Sequence, residues 1–257
     1  MQTQSCEAIK LHKKLLRLVG EAVREFSLIE TGDHILLGLS GGKDSLAMLD
    51  LLGEMRRHSA MHFELEALHV RINGVDYLSD TTYLKEKTAH WEVPLHVETI
   101  DLEQDRKAGR TPCFLCAWNR RKVFFSRAQQ WGFNKIALGH HREDILKTSL
   151  MNLIFNGSFS TMPVRLRMRK FPVTIIRPLA KIPEEYLQKW AEIQDYKPVT
   201  KVCPNDKLSN RTSVETVSEA MRRLNKDFPH SLWHALAKAD KLVEDGDEGK
   251  ENASATF

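Results

Sequence analysis

A chain of 257 residues with 42% hydrophobic and 28% charged side chains can bury one generous core, which excludes disordered and collagen-like classes. No apolar run approaches a membrane span and the first seven residues lack the basic and apolar regions of a secretory signal, so a cytoplasmic chain with no membrane partner is expected. The net charge of +4 is unevenly placed: seven basic residues and no acids lie between Arg106 and Arg127, and Arg165, Arg167, Arg169 and Lys170 form a second cluster, while residues 241–257 hold five acids and two lysines.

Residues 9–29 read as an amphipathic helix, with Leu15, Leu16, Val19, Val23 and Phe26 at helical spacing. A turn at Thr31-Gly32-Asp33 leads into the apolar run 35–39, short enough for a buried strand, which stops at Ser40. Two glycines follow, and a helical pattern from Ser45 to about residue 57 buries Leu46, Leu49 and Leu52. Strand, glycine turn and helix start together make an anion cradle. Free N–H groups at the helix N-terminus point at the ligand, and the helix dipole favours negative charge. Gly41 and Gly42 let the backbone approach a phosphate, Lys43 supplies a cation, and the hydroxyls of Ser40 and Ser45 can bond phosphate oxygens. Asp44 can hold Mg²⁺. The spacing is not that of a Walker A loop, because Asp44 stands where that motif needs Ser or Thr. It resembles the Ser-Gly-Gly-x-Asp-Ser signature of the PP-loop pyrophosphatases, which implies ATP cleavage between the α and β phosphates.

Residues 63–70 form a second strand, with His69 near its end as a candidate wall of the adenine pocket. A turn at Asn73-Gly74 and an N-cap at Ser79 open a helix to about residue 91, and 94–100 alternates like a strand. After an irregular stretch, a helix runs from about Cys116 to residue 131, its aromatic residues Trp118, Phe124 and Phe125 expected in the core. A strand at 135–140 runs straight into His141-Arg142-Glu143-Asp144 and a helix ending near Asn156-Gly157. Residues 158–163 read as a mobile loop, 164–168 as an exposed strand, 171–179 as a strand ending in Arg177-Pro178-Leu179, and Pro183 opens a helix to about 194. Two short helices, 213–226 and 231–242, follow.

This alternation is that of an α/β doubly wound parallel sheet. The expected organisation is an N-terminal helix (1–30), an ATP-binding α/β domain (31–200), a small C-terminal helical extension (201–243) and a disordered tail (244–257). Ligands of such sheets bind beyond the carboxyl ends of the strands at a topological switch point. Gly139 and His140 therefore join the nucleotide site, with Asp144 four residues on and facing the same side. Arg177 meets either a phosphate or an acid.

Cys113-Phe114-Leu115-Cys116 opens the basic helix, and Cys203 lies far along the chain. Such a C-x-x-C suits a redox pair, half a zinc site or two core cysteines. Three thiolates from distant segments also suit three irons of a [4Fe–4S] cluster with the fourth iron open. Cys6 is either a fourth ligand or a bystander.

Taken together, Ser40-Gly41-Gly42-Lys43-Asp44-Ser45, the C-x-x-C before Arg120 and Arg121, Leu138-Gly139-His140-His141-Arg142-Glu143-Asp144 and Ile176-Arg177-Pro178-Leu179 resemble the tRNA 2-thiocytidine synthetase (TtcA) family over residues 30–205. The resemblance implies an adenine-nucleotide α-hydrolase-like PP-loop fold and a sulfurtransferase using ATP, Mg²⁺ and a [4Fe–4S] cluster held by Cys113, Cys116 and Cys203. Its implied partners are tRNA and a sulfur donor, either a cysteine desulfurase or sulfide; the oligomeric state, a homodimer included, is left open. Two departures are the single Cys203 where the family commonly has a cysteine pair, and Glu143-Asp144 in place of two aspartates. Other readings are a PP-loop ligase that adenylates RNA, with zinc-bound or free cysteines, and a nucleotide-sensing module that binds RNA without chemistry.

Overall fold

The computed structural model describes residues 2–73, 76–77, 81–101, 112–199, 201–202 and 211–245. The first helix, α1 (Gln2–Glu25), starts seven residues before its apolar stripe and buries Leu15, Val19, Ala22 and Val23. It ends where Ser27 adopts a positive φ of 48° and Leu28 N–H donates back to the Val23 carbonyl. The strand β1 (His34–Gly38) leads into α2 (Lys43–His58), and β2 (Glu64–Ile72) is followed by the short β3 (Asp76–Tyr77). Ser79, the expected cap, lies outside the described residues; α3 (Thr82–His90) opens after Thr81, whose side chain makes no capping bond. Next come β4 (Leu95–Ile100) and α4 (Pro112–Trp131). Proline suits the first position of α4 because that N–H has no partner within a helix. The C-x-x-C therefore lies inside the helix, four residues earlier than its expected start.

The chain continues through β5 (Lys135–Ala137), α5 (Arg142–Asn156), β6 (Arg165–Arg167), β7 (Thr174–Ile176) and α6 (Glu184–Ile193). It closes with β8 (Lys201–Val202), α7 (Arg211–Leu224), α8 (Phe228–Lys238) and β9 (Val243–Glu244). The main sheet has the order β4-β2-β1-β5-β7-β6-β9. It is parallel from β4 to β7, while β6 runs antiparallel to β7 and β9 pairs parallel with β6. β3 and β8 form a separate antiparallel pair.

Apolar side chains fill both faces, as a doubly wound sheet requires. On one face Ile35, Leu37, Ala67 and Ala137 join α1, α2 and α6; on the other Leu36, Leu68, Val70 and Ile136 pack with Ala128, Val123 and Phe124 of α4. The C-terminal helices α7 and α8 pack against α5. Two sequence expectations change here. Residues 158–163 are tied to α5, where the Asn152 amide donates to the Ser160 carbonyl at 3.1 Å and the Thr161 hydroxyl to the Ile145 carbonyl. Glu244, expected in the tail, belongs to β9, and the Val164 N–H donates to the Leu242 carbonyl at 2.7 Å; residues 246–257 lie outside the described set. Among the described residues no helix is long and apolar enough to cross a membrane.

Candidate nucleotide site

Strand order reverses between β1 and β5, and both strands end at the same place. The chain leaving β1 is tied into a tight loop by Ser45. Its Oγ accepts the Gly41 N–H at 3.1 Å and the Ser40 hydroxyl at 3.0 Å, and donates to the Gly42 carbonyl at 2.9 Å. Gly41 has φ +83°, and a Cβ there would sit 2.5 Å from Val199, whose N–H donates to the Gly41 carbonyl at 3.0 Å. Only glycine fits. Gly42 caps α2 with extended backbone and no side-chain bond, so no capping side chain covers the first-turn N–H groups. From β5, Gly139 closes in until a Cβ would lie 3.2 Å from the Ser45 nitrogen.

These ends enclose a cavity of about 220 Å³. Ser40, Gly42, Asp44, Ser45, Gly139 and His140 make its polar side; Leu68, Val70, Phe124 and Leu138 make an apolar wall suited to a purine, and Arg120 of α4 lines it too. A helix N-terminus, a carboxylate and a guanidinium beside an apolar slot are what an adenine nucleotide with its metal needs.

Not every expected residue reaches the cavity. His69 is 2% exposed, and its Nδ1–H donates to the Leu39 carbonyl at 2.7 Å. On β2 successive side chains alternate between faces, so Leu68 and Val70 reach the cavity while His69 buttresses the loop from the other side. Lys43 is not in the lining, and its ammonium pairs with Asp44 (2.9 Å) and Glu184 (3.4 Å). Burial opposes its charge, but these two acids outweigh that and raise its pKa above the ordinary value. Asp144 is also outside the lining: its Oδ2 accepts the His141 N–H at 3.0 Å in a capping box at the start of α5.

Arg177 is wholly buried and is not in the cavity lining. Its Nε–H donates to His140 Nδ1 at 3.3 Å and its Nη1 to the Pro163 carbonyl. Burial pulls its pKa down to about 9, with Asp144 opposing, so it stays charged at neutral pH and holds His140 Nδ1 as an acceptor. Beside it lies a buried network that the sequence reading missed. His141 Nδ1 is 3.4 Å from Glu143, and Glu143 also accepts from Arg142 (2.8 Å), from the Glu184 N–H (2.8 Å) and from Arg222 of α7 (3.3 Å). Burial raises the Glu143 pKa, but His141, Arg142 and the Glu184 N–H bring it down to about 2. Burial lowers that of His141, yet Glu143, Asp144, Asp44 and Glu184 hold it above its ordinary value. The signal in the sequence was the acid pair following two histidines.

Cys116 is half-buried on α4, one turn before Arg120, so the helix that carries the C-x-x-C also walls the cavity. Cys113 stands one turn earlier in α4, its side chain outside the described set, and Cys203 lies outside the described residues, directly after β8. Among the described residues no three His, Cys, Asp or Glu side chains are grouped to hold a metal. Cys6 is exposed on α1, which packs on the sheet face opposite α4. The basic clusters are partly neutralised: Arg127 is paired with Glu98, and Arg165 with Asp245 at 2.9 Å. Phe125 stacks on Phe171 at 5.1 Å, but Trp118, expected in the core, is 48% exposed.

The PP-loop domain family matches residues 8–213. The chain is 35% identical over 244 residues to a tRNA-cytidine(32) 2-sulfurtransferase of Paraburkholderia phymatum, covering 92% of this chain and 71% of the relative. It is 37% identical over 240 residues to the protein of the same name from Nitrosospira multiformis, covering 91% and 79%. In fold it is similar to the U34-tRNA thiolase NcsA from Methanococcus maripaludis, solved with its [4Fe-4S] cluster, with a TM-score of 0.73 at 24% identity over 93% of this chain and 81% of that one.

Proposed function

This chain belongs to the tRNA 2-thiocytidine synthetase family of PP-loop proteins, and from that premise we propose that it replaces the C2 oxygen of an anticodon-loop cytidine with sulfur, using ATP. It is an ATP-dependent tRNA sulfurtransferase. A carbonyl oxygen is a poor leaving group, so the base is activated first. The cytidine O2 attacks the α-phosphorus of ATP, and the bond to pyrophosphate breaks with the electron pair leaving on pyrophosphate. Hydrosulfide then adds at C2 through its sulfur, the C2–O bond breaks with its electron pair leaving on AMP, and loss of the sulfur-bound proton leaves the thiocarbonyl.

The residues of the cavity divide this work. The N–H groups opening α2 bind phosphate oxygens, in a loop whose shape Ser45 and Val199 maintain. Arg120 faces charge that builds on the phosphates from the opposite wall. His140, oriented by Arg177, presents its second ring nitrogen as a hydrogen-bond donor. Asp44 suits Mg²⁺, which is commonly held by one carboxylate plus substrate phosphates, and its place in the cavity fits that use.

The donor set also fits an iron–sulfur cluster. Cys113 and Cys116 fall in the first turns of α4, where the dipole favours thiolate charge, and Cys203 supplies a third sulfur. Those three would hold a [4Fe–4S] cluster, which when bound supplies a soft metal site for the incoming sulfur. The sulfur comes from sulfide, or from the persulfide of a cysteine desulfurase after a two-electron thiol reductant has cut its S–S bond and released it at the sulfide level.

The observation that carries this reading is that the cradle and the C-x-x-C helix share one cavity. The test is an anaerobic reaction of the iron-loaded protein with ATP, sulfide and tRNA, followed by mass spectrometry of the digested RNA. AMP, pyrophosphate and 2-thiocytidine are expected in equal amounts. AMP formation with an amine-modified base, from a protein holding zinc and no iron, would replace thiolation by ligation.

A further inference from the structure

The loop before α2 is held from behind by a segment outside the cavity lining. α6 packs on α2, and after Ile193 the chain turns back: Asp195 takes a positive φ of 47° and the Tyr196 N–H donates to the Ala191 carbonyl at 3.0 Å. Tyr196 is buried, and its hydroxyl donates to Asp50 Oδ2 on α2. The other oxygen of that buried carboxylate accepts the Trp91 indole N–H at 2.7 Å. Three residues after Tyr196, the Val199 N–H donates to the Gly41 carbonyl at 3.0 Å. Lys197 and Pro198 between them are exposed; proline has a fixed φ and keeps the residue before it extended. Residues 196–199 are thus a short, stiff strap, fastened to α2 at one end and to the phosphate loop at the other.

The carbonyl at the strap's far end shares a peptide plane with a group the ligand needs. Gly41 C=O and Gly42 N–H belong to one planar unit and point in opposite directions. Gly42 lines the cavity and Gly41 does not. The two torsions that rotate this plane both belong to glycine, so the local backbone resists a flip weakly. The bond from the Gly42 N–H to Ser40 Oγ is long, at 3.3 Å. A flipped plane would turn the negative end of a carbonyl toward the phosphates in place of an N–H.

We propose that Tyr196, anchored on Asp50, is a positioning residue for ATP: through Val199 it keeps the Gly41–Gly42 peptide in the orientation that receives phosphate. The inference deepens the nucleotide reading above and rests on it. Without the anchor the loop spends part of its time flipped, and apparent affinity falls with the fraction still competent. Saturating ATP draws the loop back, so the chemical step keeps its rate.

The test uses the full-length protein with ATP, Mg²⁺ and substrate tRNA. Tyr196→Phe removes one oxygen, and should raise the dissociation constant and the KM for ATP about tenfold while kcat for AMP formation stays within about twofold. Pro198→Gly removes no hydrogen bond but loosens the strap, and should raise KM about threefold, the entropy of one freed residue. Trp91→Phe strips the other donor from Asp50 without touching the strap. It should lower the melting temperature and leave KM at the wild-type value. Wild-type KM in Tyr196→Phe, or an equal rise in Trp91→Phe, would overturn the positioning role. ATP affinity is read without RNA, so the expected shifts in a protein that forms no 2-thiocytidine would remove thiolation and leave the strap standing. A wild-type protein that binds no ATP would overturn both.

Discussion

At the scale of single residues, geometry separates side chains that hold the loop from those that meet the ligand. Gly41 holds it: with φ +83° and Val199 where a Cβ would go, Gly41→Ala should destabilise the protein by about 1–3 kcal/mol and weaken ATP binding. Chemical denaturation checks this, and pairing it with Val199→Gly should recover the steric part but not the backbone part. Asp44 faces the cavity instead. Asp44→Ala should leave the melting temperature unchanged and cut AMP formation about 100-fold, through loss of a metal ligand. Full AMP release by that variant would remove Asp44 from the chemistry. The cradle residues were legible because glycine, serine and aspartate at fixed spacing after an apolar run have few other uses. His69 was misread for an equally local reason: being near a strand end does not say which face a side chain takes.

At the scale of elements, α2 and α4 wall the cavity, and the network that opens α5 lies beside it. α4 joins cysteine, cavity wall and basic charge in one helix, so its arginines should behave differently from one another. Arg120→Ala with Arg121→Ala should lower the slope of log affinity against log salt by about one per lost phosphate contact, read by RNA titration from low to high salt. Arg127→Ala should change it less, because Glu98 already neutralises that guanidinium. α5 opens on His141 and Glu143, and their shifts set opposite limbs of a stability profile. Glu143 is depressed, so its contribution is present above its ordinary value of 4.5 and is lost as pH falls toward about 2. His141 is raised, so its contribution is complete below 6.5 and is lost as pH climbs through its higher folded value. Both act together between about pH 4.5 and 6.5. Denaturation midpoints should peak there, and Glu143→Gln should flatten both limbs.

At the scale of the whole molecule, the order of the strands brings distant segments to one place. Residues 40–45, 68–70, 120–124 and 138–140 meet because the strand order reverses between β1 and β5. Val199 docks on Gly41 and leads into β8, which ends one residue before Cys203 in the sequence, and on the proposed three-cysteine reading the three thiolates act as one set. Replacing Cys113, Cys116 or Cys203 with Ala should therefore remove iron and acid-labile sulfide together while ATP still binds. Cys6→Ala should keep both, since α1 lies across the sheet from α4. Four irons retained in Cys203→Ala would sink the three-cysteine site.

What the amino-acid sequence determined by itself was local: strand–glycine–helix punctuation, the alternation that builds a parallel sheet, and the C-x-x-C in a helix rich in arginine. Each follows from backbone freedom, apolar period or charge within a few residues. The tertiary structure decided which face each element buries. It sent Leu68 and Val70 rather than His69 to the cavity, turned Lys43 toward Glu184, left Trp118 in water and drew Glu244 into the sheet. Those outcomes depend on partners about 30 to 140 residues away, and burial of one face against such a partner is a property that no window of sequence contains.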